Sequence, residues 1–365
     1  DAAAALLAKS RKPLFVAGGG AHRSGARDAL ISLADKVGAV VATTLKGKDL
    51  FQGYPYNLGV VGSFSHAVGR RLIAEADCIV AFGASLNNHT TSYGEALPRD
   101  VPVIHVDMER SNIGRLFPAD IGLVGDVLAV AGQLLEAASE RNPSDKPFHS
   151  EENVRRLAGR DVTAEFQSAD TPRTMDPRSL GVELDRILPK DRSLVYDAGN
   201  FLQIIPYLSV PGPDRIKMTA EFASIGLGFG VALGYALGSP GRRTTLIIGD
   251  GAFLMTLSEL ETVVREDIPI TIIVMNDAAY GAELHYLRMR DVPDRMSVFA
   301  DVDFAPVAEA FGFQAATVRS TEALRQFEAM LAEADGPILL DCKINASVAG
   351  GFLGETFDHE RRARA

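Results

Sequence analysis

The chain has 365 residues, room for two or three domains, and its 47% hydrophobic and 23% charged residues are the balance of a globular protein. A formal charge of −10 with no basic stripe excludes nucleic acid as the expected partner. The two cysteines, Cys78 and Cys342, lie in apolar strand-like runs outside any C-x-x-C pair, which points to buried thiols of a cytoplasmic protein rather than zinc or disulfides.

The first apolar stretch, residues 2–8, follows Asp1 without a basic flank and does not read as a secretory signal. Residues 14–17 read as a strand running into Gly18-Gly19-Gly20, after which Ala26, Leu30, Leu33 and Val37 recur at helical spacing. Further strands are expected over 40–42, 76–82 and 101–106, and Asp126 is placed to cap a helix over 127–138. This alternation predicts a mostly parallel, doubly wound sheet over residues 1–140. GGGAHRSG lacks the G-x-G-x-x-G spacing of a dinucleotide loop. Ser85, Asn87, Asn88 and His89 follow a strand end and would line any pocket there, although an ordinary polar loop explains them better. Residues 141–175, with RNPSDKPFHSEEN and SADTPRT, read as a linker broken by a short helix near 154–166.

Asp176-Pro177, a helix cap with proline at the first helical position, opens a second domain over 176–345. Residues 193–196 form a strand ending at Asp197-Ala198-Gly199-Asn200. Residues 222–241 carry no charge and are long enough to cross a membrane, but their six glycines and Pro240 argue for a helix packed closely in a buried layer. A β-branched run, 244–248, stops at Gly249-Asp250-Gly251. Ser258 and Glu261 have the spacing of a capping box for a helix with Leu260, Val263 and Val264 on one face. Residues 270–275 are an apolar strand closed by Asn276-Asp277, and a helix bearing Glu283 and His285 follows. Strands at 315–318 and 337–342 and a helix through Leu331 complete the sheet, and the tail 346–365 is expected to be mobile. The fold class is α/β, with two doubly wound, mostly parallel-sheet domains joined by a linker.

Strands 244–248 and 270–275 would be parallel neighbours in a right-handed βαβ unit, so Asp250 and Asp277 emerge at one carboxyl edge, where open α/β sheets bind ligands. Two carboxylates there suit Mg²⁺, whose octahedron phosphate and water complete, and Gly249 and Gly251 admit close approach of a phosphate. For an isolated GDG, turn formation is the better explanation.

GDG with Asn276-Asp277 following, Asp277 standing 27 positions after Asp250, resembles the thiamine-diphosphate signature of the acetolactate synthase, pyruvate decarboxylase and benzoylformate decarboxylase superfamily. The resemblance implies metal ligation by Asp250, Asp277 and the main-chain carbonyl of Ala279. Asp277 departs from the usual Asn and adds a negative charge. It also implies cofactor contacts from Asp197, Gly199, Asn200, Gly249, Gly251, Ala252 and Asn276. For Asp197 a helix-capping role is an equal alternative. SIGLGFGVALGYA resembles the segment in which an apolar residue, here Ile225, wedges under the cofactor and bends its rings into a V. Glu283 stands at the offset of a carboxylate that points at the reactive thiazolium carbon in the decarboxylase branch, which implies proton transfer; His285 is a weaker candidate.

KPLFVAGGG, AFGASLN and VIHVDME resemble the superfamily's central domain, which binds FAD or an ADP-containing ligand in some relatives. With no phosphate-binding motif, an empty structural domain is favoured over FAD. The implied function is 2-oxo-acid decarboxylation and/or carboligation, acetolactate-synthase-like in overall flavour. Relatives carry a pyrimidine-binding domain ahead of these two. The expectation is therefore an incomplete chain, inactive alone, completed in a homo-oligomer (dimer or tetramer) or by a separate pyrimidine-domain subunit, with an exposed apolar patch near Ile225. The rival reading is a non-catalytic nucleotide-binding regulatory or structural module.

Overall fold

A computed structural model describes residues 1–139, 146–219 and 222–364. The chain divides into two compact units, Asp1–Asp161 and Val162–Ala365. In the first, strands β1 (Pro13–Ala17), β2 (Val40–Thr43), β3 (Asn57–Val60), β4 (Cys78–Phe82), β5 (Val103–Asp107) and β6 (Ile121–Val124) form a sheet in the order β3-β2-β1-β4-β5-β6. In the second, β7 (Ser193–Tyr196), β8 (Ile216–Met218), β9 (Thr244–Gly249), β10 (Ile270–Asn276), β11 (Gln314–Val318) and β12 (Ile338–Lys343) run β11-β12-β10-β9-β7-β8. Every pairing in both sheets is parallel. Central strands β1, β4 and β10 are buried at every position, the pattern of sheets covered by helices on both faces.

The first unit's strand order reverses between β1 and β4, where such sheets hold ligands. There the glycine run serves backbone packing: a Cβ on Gly18 would lie 2.2 Å from the Gly83 carbonyl oxygen, and one on Gly20 2.7 Å from the Gly83 Cα. Asn87 caps the helix Asn88–Thr91 by accepting from the Thr90 amide, and His89 packs against Phe64 and Tyr93. Asp126 caps Val127–Ala137 through the Ala129 amide.

Three expectations change. Of the stretch read as a linker, 141–145 lies outside the described residues. Phe148 is wholly buried in the first unit's core, His149 stacks on Tyr56, and the helix Glu151–Ala158 belongs to that unit. The polar composition hid two aromatic anchors. Ser258 makes no capping bond, because β9 runs directly into the helix Asp250–Met255 and Ser258 already has helical dihedrals when Glu259–Arg265 begins. The tail is a helix, Gly351–Arg364, that contacts Gly281–Met289; Leu353 is buried, Glu360 pairs with Arg290, and Arg290 also lies over the Phe357 ring.

Asp176 caps Pro177–Ile187 by accepting from the Arg178 amide, as its sequence position predicts. The uncharged segment forms the helix Leu227–Leu237, and among the described residues no helix is long and apolar enough to cross a membrane.

Candidate active site

Strands β7, β9 and β10 are adjacent in the second sheet, so their ends bring Asp197, Asp250 and Asp277 to one edge. In the β9–β10 ladder Gly249 pairs with Met275, which sets Asp250 close to the turn carrying Asp277. A cleft on this edge is lined by Gly199, Asn200, Ile225, Gly249, Asp250, Gly251, Ala252, Asp277, Ala279 and Glu283, all singled out in the sequence.

Asp250 is 1% exposed. Its Oδ1 accepts from the Gly251 amide at 2.8 Å, and its Oδ2 has no hydrogen-bond partner among the described residues. Burial holds its carboxyl well above the usual carboxylate range and the charge of Asp277 adds to this, while the amides of Gly251, Ala278 and Ala279 pull the other way. Burial raises the half-buried Asp277 as well, against opposing main-chain amides. Two like charges and a bare buried oxygen are costly without a compensating cation. Among the described residues no group of three or more His, Cys, Asp or Glu gathers as a metal site. A cation here would therefore take its remaining ligands from a carbonyl, water and phosphate, as Mg²⁺ does. The donor set fits that ion.

Two glycines make the carboxylates' geometry feasible. A Cβ on Gly281 would stand 2.5 Å from the Asp277 Oδ2. One on Gly251 would stand 2.6 Å from the Tyr280 ring, which packs edge-on against Phe299 at 5.2 Å between centroids. Tyr280 lines the cleft and was missed in the sequence; the Tyr-Gly pair directly after the acidic turn was the available signal.

Two expected cofactor contacts face elsewhere. Asp197 is fully buried, and its oxygens accept from the Gly226 amide at 2.7 Å, the Ala198 amide at 2.7 Å and the Thr219 hydroxyl at 3.1 Å. It thus caps the helix Leu227–Leu237, rather than the 3₁₀ segment Asn200–Tyr207 that follows it in sequence. Asn276 donates to the Val302 carbonyl at 3.0 Å and to Asp341 at 2.8 Å, away from the cleft. Asn200 reaches the cleft, but its side chain donates to the Val348 carbonyl and accepts from the Gly350 amide. Ile225 is half-buried and packs on the second unit's core. Glu283 is exposed at the rim, and His285 is buried away from the lining.

Beside the cleft, Phe222 (84% exposed), Leu227, Leu254 and Met255 (62%) leave apolar surface in solvent.

Comparison with known proteins agrees with this geometry. Residues 1–134 match the family model of the thiamine pyrophosphate enzyme central domain, and residues 197–342 match that of the C-terminal TPP binding domain. The chain is 28% identical over 356 residues to the probable acetolactate synthase large subunit of Methanocaldococcus jannaschii, covering 95% of this chain and 60% of that protein. Its counterpart from Methanococcus aeolicus is 25% identical over 361 residues, 94% of this chain and 60% of the relative. The sulfoacetaldehyde acetyltransferase of Castellaniella defragrans is 27% identical over 348 residues, 88% of this chain and 58% of the relative. The chain thus spans about 60% of the length of the curated relatives it matches. With the Gly-Asp-Gly edge lying inside the second match and the sheet of the first unit inside the other, the chain belongs to the thiamine-pyrophosphate-dependent enzyme superfamily and carries its central and TPP-binding domains.

Proposed function

We propose that this chain takes part in thiamine-diphosphate- and Mg²⁺-dependent decarboxylation of a 2-oxo acid, with or without carboligation, in the manner of the acetolactate synthases it is similar to. The observation that carries the reading is the orphaned Oδ2 of Asp250, buried beside Asp277 at the edge of the matched TPP-binding domain. Asp250, Asp277 and the Ala279 carbonyl hold the cation. Gly249, Gly251 and the main chain of Gly199, Asn200 and Ala252, which line the cleft, would border the diphosphate, and Ile225 would contact the ring system. When bound, thiamine diphosphate supplies a carbon nucleophile and an electron sink. Glu283, at the solvent-facing rim, holds or delivers the proton exchanged with the reacting carbon. The apolar surface at Phe222, Leu227, Leu254 and Met255 is the face that a second copy or a pyrimidine-binding subunit covers. FAD in the first unit is not part of the reading, since GGGAHRSG lacks a phosphate-binding motif.

Titration calorimetry with thiamine diphosphate, with and without Mg²⁺, tests it. Binding is expected to require Mg²⁺ and to vanish in Asp250→Ala, because a buried diphosphate without its cation is an uncompensated charge. Metal-independent binding, or normal affinity in the variant, rules the assignment out. A non-catalytic nucleotide-binding module predicts the metal-independent result.

A further inference from the structure

We propose that Asp341 and Lys343, two residues apart on β12, are positioning residues for the cation site. The proposal rests on the reading of Asp250, Asp277 and the Ala279 carbonyl as that site. In the β10–β12 ladder Val274 pairs with Asp341 and Asn276 with Lys343, so the two side chains flank the last turn of main chain before Asp277. Asp341 is fully buried and Lys343 is 2% exposed.

The bonds close a ring around that turn. Asp341 Oδ1 accepts from Asn276 Nδ2 at 2.8 Å, and its Oδ2 accepts from the Phe304 amide at 3.0 Å and pairs with Lys343 Nζ at 3.1 Å. Lys343 Nζ donates to the Val302 carbonyl at 2.6 Å and to Asp301, and Asn276 Nδ2 donates to the same carbonyl. Asn276 Oδ1 in turn accepts from the Ala278 amide at 3.3 Å. From the other side the segment through Ser297–Phe299 grips the turn: the Phe299 amide donates to the Ala278 carbonyl at 3.0 Å, and the Tyr280 amide to the Ser297 carbonyl at 2.8 Å. Ala278, with φ of +55°, sits in the left-handed region between Asp277 and Ala279. A non-glycine residue stays there only when its surroundings hold it.

A buried ion pair is a poor source of stability, because desolvation offsets most of the attraction and an uncharged pair of similar volume serves a fold as well. Here its bonds go to Asn276 and to the 301–304 segment, the two supports of the turn. Moving either support moves the Asp277 carboxylate and the Ala279 carbonyl relative to Asp250. Groups of this kind, which orient metal ligands without touching the metal, typically change metal affinity about 10–100-fold when lost.

The test uses Mn²⁺ as the probe, with the 365-residue chain and excess thiamine diphosphate, and free Mn²⁺ read by electron paramagnetic resonance. In the double variant Asp341→Asn/Lys343→Met no buried charge is left unpaired, so the metal-free chain is expected to fold, with its melting temperature and circular dichroism reporting on that. Mn²⁺ affinity is expected to fall on the order of tenfold or more, and Lys343→Arg, which keeps the cation, to retain most of it. A folded double variant with wild-type Mn²⁺ affinity overturns the proposal and leaves the pair a purely structural tie. If the double variant does not fold, Asp301→Asn, at an exposed partner of Lys343, decides: reduced affinity supports the proposal, and unchanged affinity overturns it. Absence of Mn²⁺ binding by the wild-type chain would instead sink the metal-site reading itself.

Discussion

The Asp197 carboxylate accepts a hydrogen bond from the Gly226 amide at 2.7 Å and so ties the end of β7 to the first turn of the helix Leu227–Leu237. The approach is close: a Cβ on Gly228 would lie 2.8 Å from the Asp197 Cβ. Ile225 is the residue before that amide, so a side chain with no place on the cleft wall sets the position of one that has.

Asp197→Ala is therefore expected to destabilise the chain by about 2–6 kcal/mol. It strands the amides of Ala198 and Gly226, each worth roughly 1–3 kcal/mol when left unsatisfied in the interior. Urea denaturation with and without bound thiamine diphosphate measures it. A variant as stable as wild type would show that the cap is dispensable.

The paired carboxylates give metal-free stability a definite pH trend. Burial raises both above the ordinary carboxylate value of about 3.9, with the charge of Asp277 adding to the effect at Asp250. A group with a raised folded-state pKa binds more protons in the folded than in the unfolded chain, so its contribution is fully present below the unfolded value and declines as pH rises through the folded one. Metal-free melting temperature should thus fall as pH rises above about 4. Mg²⁺ favours the ionised pair, so the gain in melting temperature on adding Mg²⁺ should grow with pH. A pH-independent gain would mean the cation binds elsewhere.

Glu283→Gln should leave cofactor and Mg²⁺ affinity near wild type, because Glu283 is exposed and outside the carboxylate pair. Turnover of a 2-oxo acid by the assembled enzyme should slow by about 10²-fold or more, the usual cost of a lost general acid or base. Steady-state kinetics with pyruvate and related acids checks this, and unchanged kcat would return Glu283 to the surface.

Purified protein is expected to be colourless, because the glycine run after β1 lacks a phosphate-binding motif for a dinucleotide. An absorbance band of bound flavin would overturn that reading.

What the sequence determined by itself was local. The apolar and β-branched runs of β1, β4, β9 and β10 announce buried parallel strands, and Gly-Asp-Gly and Asn-Asp mark where β9 and β10 end. Asp126 and Asp176 cap helices through amides two or three residues away, a relation that chain position alone specifies. The short strands β3, β6 and β8 were not legible, because edge strands are half-exposed and carry residues such as Gly59, Gly122 and Lys217 that mute the apolar pattern. Tertiary structure alone decided the partners of the polar side chains. Asn200 is tied to the Val348–Gly350 segment and Asn276 to Asp341, contacts 148 and 65 residues apart. A side chain at a strand end meets equal demand for hydrogen bonds from ligand and from neighbouring strands, and only the register of those neighbours settles which one it serves. The same long-range packing turned the C-terminal segment from an expected tail into a helix that contacts Gly281–Met289, buries Leu353 and pairs Glu360 with Arg290.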